Sequence, residues 1–162
     1  MEMPSAWTGL IAEQPQPEIP ADAPRLGDIA RFTADFRDQY YGLVGAVSDD
    51  GDGPPLITSG LIEPDEVLWG RRQVTFAKQR YQAPRVQLDQ LAPPMQAWAR
   101  GRLVPKILIA SQTKRIEAVF DVRGEWLPGV PVITCTTIDP ERVLAALHHP
   151  RASEWLRYHA AG

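Results

Sequence analysis

The chain has little of several things, and each shortage closes off a class of protein. Only one of its 162 residues is cysteine, so no disulfide can form within it. A lone thiol fits a reducing cytosol, and the expected location is cytoplasmic. Cys135 lies in the apolar run VPVITC, which predicts a buried structural thiol rather than a nucleophile. No run of about 18 apolar residues occurs, so no membrane-spanning helix is expected. The opening MEMPSAWTGLIAEQ has no basic stretch ahead of a long apolar one, so no secretory leader is expected. Histidine is limited to His148, His149 and His159. Adjacent helical histidines point about 100° apart. No second Cys or well-placed carboxylate completes a ligand set, so no metal is expected. His149-Pro150 reads as a helix end, where an imidazole can meet free carbonyls.

Catalytic motifs are missing too. DGDGPPL (50–56) is glycine-rich, but no strand–loop–helix surrounds it, so it reads as a turn rather than a phosphate cradle. Ser59, Ser111 and Ser153 have no nucleophile-elbow context. Asp65-Glu66 reads as a solvated face, and no cluster of acids beside a Lys offers a magnesium site. No residue is assigned a catalytic role.

What is present is one domain's worth of chain with 44% hydrophobic residues, enough for a real core. Residues 1–25 are Pro-rich and without periodicity, which predicts a lead-in or linker before a domain over 26–162. Order is expected to begin with a strand in RLGDIARFTADF and resume near Tyr40 and Tyr41 after a loop. A loop over 48–55 follows, then a strand in PLITSGLI, with Gly60 marking a bulge or a close approach of backbones. Alternation of Val74, Phe76 and Lys78 predicts one strand with a single packed face, and PRVQL follows it. Residues 89–102 read as a helix capped by Asp89, with Pro93 and Pro94 tolerable only in its first turn. Strands at 106–111, 116–121 and 130–135 come next, joined by a basic connection at 112–115 and a turn at 122–125. Asp139-Pro140-Glu141 starts a helix with Val143, Leu144 and Leu147 on its buried side; Pro150 ends it, and SEWLRYHA begins another. The expected class is α+β: a twisted, mostly antiparallel sheet of about six strands with a few short helices, two of them C-terminal.

The net charge of −3 conceals an uneven distribution. Residues 1–70 carry 3 Arg and 13 Asp or Glu, whereas residues 71–115 carry 10 Lys or Arg and one acid, Asp89. Two readings stay open. The basic segment could meet a polyanion such as nucleic acid, or the two segments could fold against each other and cancel. Arg outnumbers Lys by 14 to 3, which partly reflects coding bias, so arginine content alone decides nothing. Gln112-Thr113-Lys114-Arg115 would sit at a hairpin tip and offer the amide and cationic groups that read bases and hold phosphates. The bland alternative is an exposed turn that happens to be basic.

Taken in order, LGDIARFTADFRDQYYGL, PLITSGLI, WGRRQVTFAKQRY, PKILIASQTKRIEAVFDVRGEWLPGVPVIT and RVLAALHHPRASEWLRY resemble one module over residues 25–160. It is the C-terminal target-recognition region of adenine-N6 DNA methyltransferases from restriction-modification and phage-defence systems. That family opens the module with an "LGDI"-type segment. A later Lys-led strand carries a basic stretch, a strand and an Asp-x-x-Gly turn, and an "LLALLNS"-type helix closes it. The family's catalytic domain, with its S-adenosylmethionine loop and Asn- or Asp-Pro-Pro-aromatic motif, has no counterpart here. DGPPL and APPM lack the aromatic residue. The resemblance thus implies a recognition part that grips duplex DNA while a partner catalytic domain, holding the cofactor, methylates a flipped adenine. No cofactor is expected in this chain itself. It implies Lys78, Arg80, Arg85 and Lys106 as phosphate contacts, with Gln112, Lys114 and Arg115 reading bases. Arg37, Gln39 and Tyr40 would lie near the flipped base. The competing expectation is a remnant recognition domain that docks on a restriction-modification subunit without touching DNA.

Overall fold

The computed structural model describes residues 18–160; residues 1–17 of the expected lead-in lie outside them, and 18–25 form neither helix nor strand. The architecture is α+β, with four α-helices, two of them C-terminal, and twelve short strands among the described residues. One antiparallel sheet of four strands dominates. Its order is β1 (Ala30–Ala34), β12 (Ile133–Thr137), β9 (Lys106–Ile109), β10 (Ala118–Asp121). The remaining strands form four two-stranded pairs rather than extending that sheet, so the expected single sheet of about six strands is replaced by a sheet and satellites.

The central strand β9 explains the layering. Its residues are buried on both faces, and side chains alternate across a strand. Ile107 and Ile109 meet Cys135 and the helix α3 (Pro140–His148) through Val143 and Leu147. Leu108 points the other way, into a cluster with Ile57, Leu61, Ile62 and Val74. A third cluster, around Leu43, Leu56, Phe76, Val86 and Ala99, packs beneath α1 (Arg37–Leu43) and α2 (Pro93–Arg102).

Several expected elements take a different form. PLITSGLI is two strands, β3 (Leu56–Ile57) and β4 (Ile62–Glu63), separated by a 3₁₀ turn at Ser59–Leu61. β3 pairs in parallel with β11 (Leu127–Pro128), and β4 turns back on β5 (Glu66–Val67). Gly60 marks no close approach, since a β-carbon there would meet nothing within 4 Å. The alternating VTFAKQRY is a hairpin rather than one strand, β6 (Val74–Phe76) against β7 (Gln79–Tyr81). Its two-residue turn places Ala77 at φ 49° and Lys78 at φ 66°, the left-handed region that such hairpin turns demand. β2 (Val47–Ser48) pairs with β8 (Arg85–Val86) beside it. The prolines move the start of α2: Asp89 sits in a separate 3₁₀ turn, and the helix begins after Ala92 with Pro93 and Pro94 in its first turn. α3 starts as expected, with Asp139 Oδ1 accepting from the Arg142 N–H at 3.2 Å. Helix α4 (Pro150–Ala160) follows directly. None of the helices is long and apolar enough to cross a membrane, among the described residues.

Candidate nucleic-acid interface

Lys106 does not face solvent, and the phosphate contact expected of it is withdrawn. It lies opposite Asp121 across the β9–β10 pair, and its Nζ donates to Asp121 Oδ2 at 2.7 Å and to the Val104 carbonyl at 3.2 Å. Both side chains are buried, 1% and 3% exposed. Burial lowers the Lys106 pKa, and the Asp121 carboxylate opposes that shift. Asp121 also accepts from the Glu125 and Trp126 N–H groups, at 3.1 and 3.0 Å, fixing the turn that follows. Gly124 in that turn has φ 68°, and a β-carbon there would lie 2.4 Å from the Val104 carbonyl carbon. The Lys-led strand and the Asp-x-x-Gly turn therefore form one internal clamp.

Much of the rest of the basic segment is neutralised by the acidic one. Arg71 pairs with Glu66, Arg72 with Glu63 at 3.0 Å, and Arg102 grips Asp35 with Nε at 2.9 Å and Nη2 at 2.5 Å. Asp35 also accepts from Trp98 Nε1 at 3.0 Å, so its charge is spent holding α2 against the loop before α1. Arg115 lies between Glu117, 3.3 Å away, and Glu63, 3.7 Å away. It lines a separate hollow with His148 and Arg157. The expected grouping of Gln112, Lys114 and Arg115 as one reading tip is thus divided. Arg85 is half-buried, donating to the Gly53 carbonyl at 2.8 Å with its guanidinium 4.6 Å above the Trp69 ring. Those contacts hold it inside the fold rather than at a phosphate. Gln39 is occupied as well: its Oε1 accepts from the Phe36 N–H at 3.0 Å, closing the first turn of α1.

Several exposed groups lie on or beside α1. A hollow of about 570 Å³ is lined on one side by Phe36, Arg37, Tyr40 and Tyr41, and on the other by Ser111 and Gln112. Phe36 and Tyr41 are 74% and 57% exposed. The Arg37 guanidinium lies 5.3 Å from the Tyr41 ring. Tyr40 is an anchor. Its ring packs on Phe76 at 4.9 Å and its hydroxyl accepts from the Ala77 N–H at 3.2 Å. That bond fixes the β6–β7 turn, with exposed Lys78 and Arg80, beside α1. On the other side the 111–115 loop carries exposed Lys114. Lys78, Arg80 and Lys114 have no carboxylate within ion-pair distance among the described residues. Sequence reasoning passed over Phe36 and Tyr41. The signal was there: two aromatics five residues apart beside Arg37, in a segment too short and polar to bury them all.

Other groups have plainer roles. Burial pushes the Cys135 thiol up to about 11, which makes it inert as a nucleophile. His148, rather than His149, meets a carbonyl, with Nε2 2.9 Å from the Ala118 oxygen. His149 Nδ1 accepts from the Arg151 N–H at 3.2 Å. No three His, Cys, Asp or Glu side chains converge among the described residues. No protein-family model matches the chain, and no curated protein matches it.

Proposed function

We propose that this chain is the DNA-binding target-recognition module of an adenine-N6 DNA methyltransferase from a restriction-modification or phage-defence system. It works in the cytoplasm beside a separate catalytic domain that carries S-adenosylmethionine. The observation that supports this reading best is the contiguity of three segments: the 111–115 loop, α1 and the 77–80 turn. They are joined through the shared hollow and the Tyr40–Ala77 bond. Their exposed cations, Arg37, Lys78, Arg80 and Lys114, are fit to hold phosphates, while the Gln112 amide is fit to read a base edge. Asp35, at the same place, is already neutralised by Arg102 and does not repel a phosphate. A low-salt mobility-shift titration on duplexes, with the chain alone and with its catalytic partner, tests the reading. Binding is expected, and changing Lys78 and Lys114 to Ala weakens it across all sequences. Absence of duplex binding under both conditions would remove it.

The ion pairs favour a second reading, a module that docks on a protein subunit without DNA. Five of the ten basic-segment cations are already matched to carboxylates, and Trp155 and Leu156 of α4 are 38% and 39% exposed. Here a Trp155→Ala/Leu156→Ala change would release a methyltransferase subunit, while Lys78→Ala/Lys114→Ala would leave the association intact.

A further inference from the structure

The two edges of the four-stranded sheet differ. At β10 the Ala118 carbonyl accepts from the Asp65 N–H at 3.0 Å and lies 2.9 Å from His148 Nε2, with the β4–β5 hairpin packed alongside. That edge is closed. At the other edge β1 is as long as any strand in the fold, and it pairs with β12 alone among the described residues. Alternate residues of an antiparallel strand turn their N–H and C=O groups away from the partner strand. Those of β1 have no backbone partner among the described residues, and a row of such groups is a template for another strand. The usual guards are missing. ARFTA has no proline and no lysine, its register against β12 runs unbroken, and its one charge is Arg31. Phe32 stands opposite Cys135, on the side of the sheet where α3 lies. But α3 packs over β9, β10 and β12, and it leaves the Phe32 side chain 40% exposed.

We infer that β1 is a homodimer interface: it pairs antiparallel with β1 of a second copy about a two-fold axis at Phe32. Charge selects this arrangement. A parallel, in-register pairing would set Arg31 against Arg31 and Asp28 against Asp28, and like charges directly opposite destabilise a sheet. In the antiparallel pairing, residues equidistant from Phe32 meet. Phe32 then packs on Phe32, Arg31 faces Thr33 and Ala30 faces Ala34 of the other copy. Beyond the strand, exposed Asp28 comes toward Arg37 and exposed Arg25 toward Asp38 of the other copy, so no like charges oppose. The closed sheet would run through eight strands.

A shared edge of this size belongs to the weak class below about 1,200 Å² of buried surface, so the dimer is expected on the order of tens of micromolar. Sedimentation velocity of the full chain across that range, without DNA, reads monomer giving way to dimer. Hydrogen exchange reads the outward amides of residues 30–34 gaining protection with it. Thr33→Arg sets cations against cations at positions 31 and 33 and weakens the dimer about tenfold. Adding Arg31→Glu turns both repulsions into ion pairs and restores association; because the double variant carries the same Arg at 33, its recovery also shows that the single variant folds. Val122→Lys, at an exposed position after the opposite edge strand, leaves association untouched. A chain that stays monomeric well above that range overturns the interface. So does a dimer indifferent to Thr33→Arg, or one that Arg31→Glu fails to restore. Outward amides already protected in the monomer overturn it too, since another segment of the chain then covers the edge. None of these outcomes bears on duplex binding, on which this interface does not rest.

Discussion

At Lys106 an ammonium has exchanged water for one carboxylate and one carbonyl, and this has an energetic signature unlike a phosphate contact. Removing one partner of a buried pair leaves the other charged and desolvated, which costs about 3–5 kcal/mol. Lys106→Ala is therefore expected to lower the unfolding free energy measured in urea by that margin, because Asp121 keeps its place under the 122–125 turn. A Lys106→Ala protein of normal stability but weak DNA binding would reverse the assignment. Cys135 gives a second test at this scale. Its thiol is held near 11 against an ordinary value of 9.0, so the fold keeps the proton that the unfolded chain releases. The stability this contributes is present below pH 9.0 and is lost as pH rises toward about 11. Thermal unfolding of wild type and Cys135→Ala at pH 8 and pH 10.5 reads the difference: the wild-type advantage shrinks at the higher pH. The native thiol should also resist alkylation until the chain unfolds.

The β6–β7 hairpin carries the sharpest prediction among the elements. Ala77 and Lys78 both occupy the left-handed region, where L-residues other than glycine and asparagine pay about 1 kcal/mol or more. Ala77→Asn/Lys78→Gly gives the turn the residues it prefers, and is expected to stabilise the fold by about 1 kcal/mol. The same change removes a cation from the proposed interface, so stability should rise while duplex affinity falls. Thermal melts and a binding titration on one protein sample separate the two effects. This hairpin was also hard to read in the sequence. Alternation at Val74, Phe76 and Lys78 matches a strand, and no Asn-Gly or Asp-Gly announces the reversal. Helix α3 was easy by contrast, since Asp139 and Pro140 name the start and the apolar spacing names the buried side. β9 and β10 were legible as a pair because their apolar runs flank a polar break. The satellite pairs were not: β3 finds its partner in β11 some seventy positions on, which no local pattern encodes.

Across the whole molecule, charge is arranged by folding rather than by sequence neighbourhood. Arg102 and Asp35 are 67 residues apart along the chain, and their pairing cannot be read from either segment. A count of basic residues overstates the surface available to a polyanion, since half of the ten are matched to carboxylates. What the sequence did convey was the identity of the segments: Arg37, Lys78, Arg80, Gln112 and Lys114 remain exposed, whereas Gln39, Arg85, Lys106 and Arg115 are engaged within the fold. The difference has a measurable form. Each phosphate neutralised contributes about −0.9 to the slope of log binding constant against log salt concentration. An interface of Arg37, Lys78, Arg80 and Lys114 predicts a slope of roughly −3.5, and each Lys→Ala change should reduce its size by about one. A salt titration of duplex binding between about 50 and 200 mM is the most direct test of this interface. That shallow slope, diminished by Lys78→Ala and Lys114→Ala, is the expected result; a slope near zero, or one unmoved by both changes, would contradict the interface.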